Sequence, residues 1–431
     1  MYMDDTMSAS SPWKQLAEGA ISRRSPSSPG PRGPLRMAGL TALALAIAVA
    51  GWVGFKMVRG GSFTRETCGP SLTRETVSSS IDSAAGYMAR QQRPEGNFVY
   101  EYDWVTHTTL ASDQQVRQAG AVWGAALIAR YMSTPERTLA ATKGLAFFAK
   151  SSRDLPDGST LVGYPNENNI ELGTVALIAL AHIELLSLDQ GLTAEQTEAL
   201  KTRLKRLMKT MTNAWDPQGY FHATADAKTG VWAGPPSPYS DGEALLALIR
   251  ATKVLGLTET RDDLVKKATL LHQRHVVEAR KVDRDSDDTK GFYQWSTMAF
   301  YQLATSEWPG TEPFAAHVFD LADWVIDQHR ILDRNRNTGY SVEGLMHAYD
   351  LAKKKGDTRA ARYACVSKQI LESLISWQVG GPTPDRFIKS HTLDPVAVGG
   401  IQNEDDVPAI RIDVVQHQTH AMLLARQWLW N

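Results

Sequence analysis

Cysteine is nearly absent: Cys68 and Cys365 are the only two among 431 residues. Two thiols exclude both a disulfide framework and a cysteine-rich zinc site. They leave room for one bridge if the domain lies outside the cytoplasm. Nothing in the sequence brings the two together, so two free thiols are the expectation. An excess of charge of one sign is also lacking. Lys and Arg total 46 against 47 Asp and Glu, a formal charge of −1, which removes the electrostatic reason to expect nucleic acid as a partner. Long apolar runs are missing too, with a single exception near the N-terminus.

That exception runs from Met37 to Phe55 without a charge, MAGLTALALAIAVAGWVGF. It is just long enough for one membrane-spanning helix bounded by Arg36 and Lys56, with Trp52 near an interface. Residues 1–36 are rich in Ser, Pro, Gly and Arg and read as a disordered tail. Ala48-Val49-Ala50 has the small-x-small form of a signal-peptide cleavage site. The long polar leader and the apolar residues continuing to Phe55 fit an uncleaved anchor better. Basic residues flank the run on both sides and do not set its orientation; the usual signal-anchor arrangement puts the short tail inside and the large domain outside. The expected organisation is a tail (1–36), a transmembrane anchor (37–58), a stalk (59–75) and one helical domain (76–431).

The helical domain repeats one local pattern. Six segments begin with a polar or aromatic cluster and run at once into an apolar helix rich in small residues: DQQVRQAGAVWGAALIARY from Asp113, NIELGTVALIALAHI from Asn169, YSDGEALLALIRA from Tyr239, FYQWSTMAFYQLA from Phe292, YSVEGLMHAYDLA from Tyr340 and IDVVQHQTHAMLLAR from Ile412. A more amphipathic helix lies between each pair, giving about twelve helices in all. Thr134 before Pro135, and Thr193 with Gln196, are helix-start signals; Gly256 and Gly356 are stop signals. Connections into the apolar helices are long and carry Gly, Pro and aromatics, whereas MSTP and LGLT in the other direction are tight. Buried and half-exposed helices alternating at this long period predict an all-α fold, an (α/α)6 toroid of inner and outer helices, with functional loops on one face.

If the six segments are inner helices, their first turns share one cavity. That gathers Arg117, Gln118, Glu171, Asp241, Glu243, Tyr293, Trp295, Glu343, Arg411, Asp413 and His417, with Tyr239 and Tyr340 at matching points before their helices. Clustered acids push one another's pKa upward, which is how a carboxyl becomes a proton donor near neutrality. Glu243 and Glu343 lie too far into their helices to be caps and are read as an acid/base pair, with Asp241 or Asp413 tuning one of them and Tyr293 as a proton shuttle. Glu171, Asp241 and Asp413 also have the position of helix caps. Gln118, Glu171, Tyr239, Trp295, Tyr340 and His417 would hold substrate, and Arg117 and Arg411 would read an acidic group such as a uronate. His417 and His420 share a helical face at metal spacing, yet no third ligand is evident, so neither metal nor cofactor is expected. The acidic run DSDDT from Asp285 is similar to the D-x-D-D-T motif of class II terpenoid cyclases, in which the central acid protonates an alkene; here that acid is Asp287. Its other reading is a solvated acidic loop.

On YSDGEALLAL, FYQWSTMAF, YSVEGLMHAYDLAKKKGD and RIDVVQHQTHAM, residues 76–431 resemble the six-hairpin (α/α) toroid proteins. These include N-acylglucosamine 2-epimerases, uronate C5-epimerases, unsaturated glucuronyl hydrolases and, more distantly, terpenoid cyclases. The resemblance is to a superfamily and carries no catalytic signature over position by position. It implies a membrane-anchored, extracytoplasmic epimerase, hydrolase or lyase acting on a polysaccharide or oligosaccharide. A terpenoid-cyclase-like enzyme with an almost charge-free cavity, and a non-catalytic glycan-binding or scaffold protein, are the other readings.

Overall fold

The computed structural model describes Cys68 and residues 71–430. The expected tail, the membrane segment and most of the stalk lie outside them. Among the described residues no helix is long and apolar enough to cross a membrane.

Twelve long helices build the domain. The inner ones are α2 (Gln115–Tyr131), α4 (Leu172–Leu186), α6 (Pro238–Val254), α9 (Asp287–Ala304), α11 (Gly339–Lys355) and α14 (Ile412–Trp428). The outer ones are α1 (Arg74–Gln91), α3 (Pro135–Lys150), α5 (Ala194–Asn213), α7 (Arg261–His272), α10 (Phe314–Asp327) and α12 (Arg359–Ser376). A π segment, Gln273–Glu278, continues α7 into the short α8 (Ala279–Val282), and α13 (Arg386–Lys389) is a single turn. Each inner helix packs on the next, α14 closes the ring on α2, and each inner helix also carries an outer partner, with α1 backing α14. This is the expected (α/α)6 toroid.

The two classes differ as their sequences require. Every residue from Leu172 to Leu185 of α4 is buried, whereas α5 buries only Leu204, Leu207, Met208, Thr210 and Met211 along one stripe. A helix that is apolar all round needs neighbours on every side, and an amphipathic one needs a single neighbour. Small residues let the inner helices touch. A Cβ on Gly242 would lie 2.6 Å from Trp295 Cβ, and one on Gly344 would lie 2.6 Å from the Tyr293 hydroxyl.

The long loops are more ordered than an all-α reading allows. Among the described residues they form four small sheets: Ala409–Arg411 with Glu101–Asp103 and Thr108–Thr109, Arg153–Asp154 with Thr160–Leu161, Asn169–Glu171 with Thr224–Asp226 and Trp232–Ala233, and Trp215–Asp216 with Tyr220–Phe221. A loop laid over other protein must satisfy its buried peptide groups, and pairing with a neighbouring loop does so. In the first sheet Glu101–Asp103 pairs antiparallel with Ala409–Arg411, Glu101 opposite Arg411, which stitches the first long loop to the last.

The free-thiol expectation is wrong. Cys68 and Cys365 form a disulfide across 297 residues of sequence, with Cα atoms 5.5 Å apart. Ring closure is the physical reason: α1 packs on α14, which also touches α12, so the segment preceding α1 passes beside Cys365. Ser71 bonds the α12 residue Glu372 in the same stretch.

Candidate active site at the mouth of the ring

Glu343 occupies the centre of the site, on the second turn of α11. It is fully buried between two imidazoles of α14: His420 Nδ1 lies 2.6 Å from Oε1 and His417 Nδ1 3.3 Å from Oε2. Residues three apart share a helical face, so one carboxylate meets both rings. Gln294 Nε2 of α9 approaches His417 Nδ1 at 3.1 Å. Two indoles complete the enclosure. Trp123 of α2 lies 5.0 Å from the His420 ring and 5.6 Å from Trp295, and Trp295 lies 5.9 Å from His417.

Burial alone would raise the Glu343 carboxyl, but the charges and hydrogen bonds of His417 and His420 overcome it and hold Glu343 below the usual carboxylate range. The converse applies to His417. Burial favours its neutral ring, yet the Glu343 carboxylate, with Asp413 and Glu243 behind it, keeps the imidazole above its ordinary value. The side chain of His417 stays 19% exposed, against 5% for His420 and none for Glu343. Of the three, His417 is the group open to a ligand. An imidazole beside a fixed carboxylate is the arrangement that general acid/base chemistry uses.

A second cluster adjoins it. Arg411 grips Asp413 at two points, Nε to Oδ1 at 3.1 Å and Nη2 to Oδ2 at 2.6 Å, and Arg117 Nε stands 3.6 Å from the same carboxylate. Both guanidinium groups sit over the Tyr100 ring, at 5.9 and 6.0 Å, and Arg117 donates to its hydroxyl. Burial would raise Asp413, but the Arg411 charge and hydrogen bond outweigh it and keep the carboxyl ionised. Arg117 also lies within electrostatic reach of Glu171. Gln114 caps α2 on the Arg117 N–H and donates to Glu171 at 3.3 Å; burial raises the pKa of Glu171.

Several sequence-predicted residues are committed to structural partners, and of these Tyr239 and Tyr340 keep a partly exposed face. Asp241 lies in the first turn of α6, which starts at Pro238, and is no cap. Its carboxylate accepts the Phe221 N–H at 2.9 Å and meets His275 Nε2 at 2.7 Å. The π segment carries His275, and the extra residue in that turn turns its ring inward. Gln118 exchanges two 2.9 Å hydrogen bonds with the Phe98 peptide and so clamps the first long loop. Tyr293 is entirely buried, donates to the Ser341 carbonyl at 3.1 Å and fills the space above Gly344, so burial takes its phenol well above the ordinary range. A proton shuttle needs a free face, which Tyr293 lacks. Trp295 is a buried wall and not an exposed platform. Tyr239 packs over Gly291, and Tyr340 meets His329 at 3.0 Å. Glu243 is buried within electrostatic reach of His417.

The D-x-D-D-T-like run is a helix start. Ser286 caps α9 on the Asp288 N–H, and Asp287 and Asp288 are exposed in its first turn, where acids favour the helix dipole. The neighbouring mouth is lined by ionised groups, which is the opposite of the cavity that reading requires. Among the described residues no group of three or more His, Cys, Asp or Glu is arranged to hold a metal. Tyr100, Gln294, His275 and Trp123 were not singled out from the sequence. Tyr100 comes from a loop and His275 from an outer helix, and neither carries a local signal.

No family model and no curated protein matches the sequence. Solved structures do match, and they define the fold class as the six-hairpin (α/α)6 toroid. A sugar epimerase from a ruminal bacterium is similar with a TM-score of 0.56 at 12% identity, covering 83% of this chain and 99% of its own. The cellobiose 2-epimerase of Spirochaeta thermophila DSM 6192 gives 0.52 at 14% identity, covering 82% and 96%. A GH76 alpha-mannanase of Bacteroides thetaiotaomicron gives 0.53 at 9% identity, covering 85% and 99%. At these identities the shared property is the fold.

Proposed function

We propose that this protein is a sugar epimerase or isomerase that moves a proton at a carbon next to a carbonyl or carboxylate, with His417 as an acid/base. One observation carries the reading: the buried Glu343 ion-pairs with His417 and leaves part of that imidazole open at the mouth. Glycoside cleavage by two carboxylates would need Glu343 itself to reach the sugar. Its burial between two histidines favours proton transfer through His417 over that role. Glu243 supports the charge on His417, and the buried Trp123 and Trp295 pack against the two imidazoles and fix their orientation. The Arg117 and Arg411 guanidinium groups have the shape and charge to pair with a substrate carboxylate, so a uronate-containing glycan is the favoured substrate class.

The same reading places the domain outside the cytoplasm on a membrane anchor formed by residues 37–58. The Cys68–Cys365 disulfide supports an oxidising compartment.

The test uses the full chain with mannose, cellobiose and an oligoglucuronate in heavy water, followed by NMR. Deuterium at a ring carbon without chain shortening is expected. New reducing or unsaturated ends would assign cleavage instead, and no change with any of these sugars would move the reading to a glycan-binding protein.

A further inference from the structure

Epimerisation through one histidine returns the proton to the face it left, unless a second group serves the opposite face. A second hydrogen-bonded array stands at the start of inner helix α11, built from residues outside the His417 cluster. His329, which follows α10, is 3% exposed; its Nδ1 lies 2.6 Å from Asp285 Oδ1 and its Nε2 3.0 Å from the Tyr340 hydroxyl. Trp324 stacks on the imidazole with centroids 5.0 Å apart and planes at 21°, and is fixed by its own indole N–H on the Arg284 carbonyl. The backbone holds this position with effort: Arg330, the next residue, has φ of 48°, in a region that non-glycine residues seldom occupy. Carboxylate, imidazole and hydroxyl thus stand in line, in the order that turns a weak oxygen acid into a usable base.

We propose, building on the proton-transfer reading, that Tyr340 is the second acid/base of this site and that Asp285 and His329 are its positioning residues. Tyr340 is half-exposed at the second position of inner helix α11, three residues before Glu343 on the same helical face. That places it about one turn nearer the mouth than the carboxylate that holds His417. In the step, the Tyr340 oxygen takes the proton from the sugar carbon as its own phenolic proton passes to His329 Nε2. The C–H electron pair moves onto the neighbouring carbonyl or carboxylate, giving an enediolate. His417, kept protonated by Glu343, then delivers a proton to the opposite face, and the electron pair returns to carbon. One C–H bond has broken and one has formed; the histidines re-equilibrate with water.

The surroundings of His329 set its resting form. Burial lowers its pKa, the Asp285 hydrogen bond opposes this, and the Arg334 and Lys290 charges add to the lowering. Arg334 lies 3.1 Å from Nδ1 and 3.5 Å from Asp285, and Tyr293 stands 6.5 Å from Tyr340. The lowering favours the neutral ring, and the relay requires its proton on Nδ1, donated to Asp285, with the Nε2 lone pair toward the phenol.

The experiment combines 15N-histidine NMR of the full chain with turnover of the three sugars in heavy water. The expected His329 is the Nδ1–H tautomer; an Nε2–H tautomer would overturn the relay whatever the activity. Tyr340→Phe keeps the ring and should fold, as a thermal melt checks. It should cut product formation and solvent exchange of the epimer whose C–H faces Tyr340 roughly 10²-fold or more, while the opposite epimer still exchanges through His417. His329→Gln and Asp285→Asn should lower the rate by roughly 10-fold or more and shift its pH profile, which a merely structural role would not do. Unaltered product and pH profile in Tyr340→Phe would remove Tyr340 and leave the His417 reading standing. If the unaltered protein exchanges no proton on any of the sugars, that reading fails and the role of Tyr340 fails with it.

Discussion

Two of the carboxylates buried in the ring, Glu184 and Glu343, each lie between two basic side chains from inner helices, and the two clusters differ in what those bases can do. In the half of the ring away from the mouth, Glu184 of α4 is held by Arg130 at 2.6 Å and Arg250 at 2.5 Å, with the Trp123 indole donating at 3.2 Å. At the mouth Glu343 is held by His417 and His420. Guanidinium never releases its proton at accessible pH, so the Glu184 cluster has one charge state; the arginines overcome the burial that would raise the carboxyl and hold it at about 2. Imidazole does release its proton near neutrality, so the Glu343 cluster has two charge states. The same geometry makes a rivet with arginine and, in the proposed function, a proton carrier with histidine.

The largest expected effect separates the two clusters by activity. His417→Asn should cut turnover by roughly 10²–10⁴-fold with the fold retained, measured by the heavy-water NMR assay alongside circular dichroism. Glu184→Gln should do the reverse. Leaving Arg130 and Arg250 without their buried counter-charge should cost about 3–5 kcal/mol of unfolding free energy in a denaturant titration. An unchanged midpoint would mean that the arginines reach water and that the rivet description is wrong. Next comes the disulfide. Cys365→Ser should lower the unfolding free energy by about 2 kcal/mol or more and make the melting temperature insensitive to reductant. The smallest effect is the pH dependence of stability. The contribution of Glu184 is complete above about pH 4.3, the ordinary carboxylate value, and is lost as pH falls toward about 2. That of His417, whose pKa is raised in the folded protein, is complete below about pH 6.5 and is lost as pH rises through the elevated value. Melting curves of Glu343→Gln should lose the alkaline dependence and keep the acid one.

The ring was legible because burial is written into composition. A segment such as Leu172–Leu185 has no polar face and can only be an inner helix. Glu343 and Glu243 stood out because they lie deeper than any cap, and the structure buries both, Glu343 against two histidines that the sequence did not pair with it. What escaped were pairings set by tertiary closure. Asp241 meets His275 across 34 residues, Glu343 meets His417 across 74, and Cys68 meets Cys365 across 297. Local periodicity carries no information at such separations. Helix starts drifted for a related reason: α9 begins at Asp287 because Ser286 caps it, while the apolar pattern begins only at Phe292. The acidic run there was therefore open to a catalytic reading that its capping geometry does not support.

The contrast between rivet and proton carrier comes down to the titration of one ring. Nitrogen-15 NMR of His417 in the full chain, with and without Glu343→Gln, measures it directly. The account predicts a His417 pKa above the ordinary imidazole value in the unaltered protein, and a fall when the carboxylate is neutralised. A His417 that titrates below that value, or one that ignores Glu343→Gln, would contradict it.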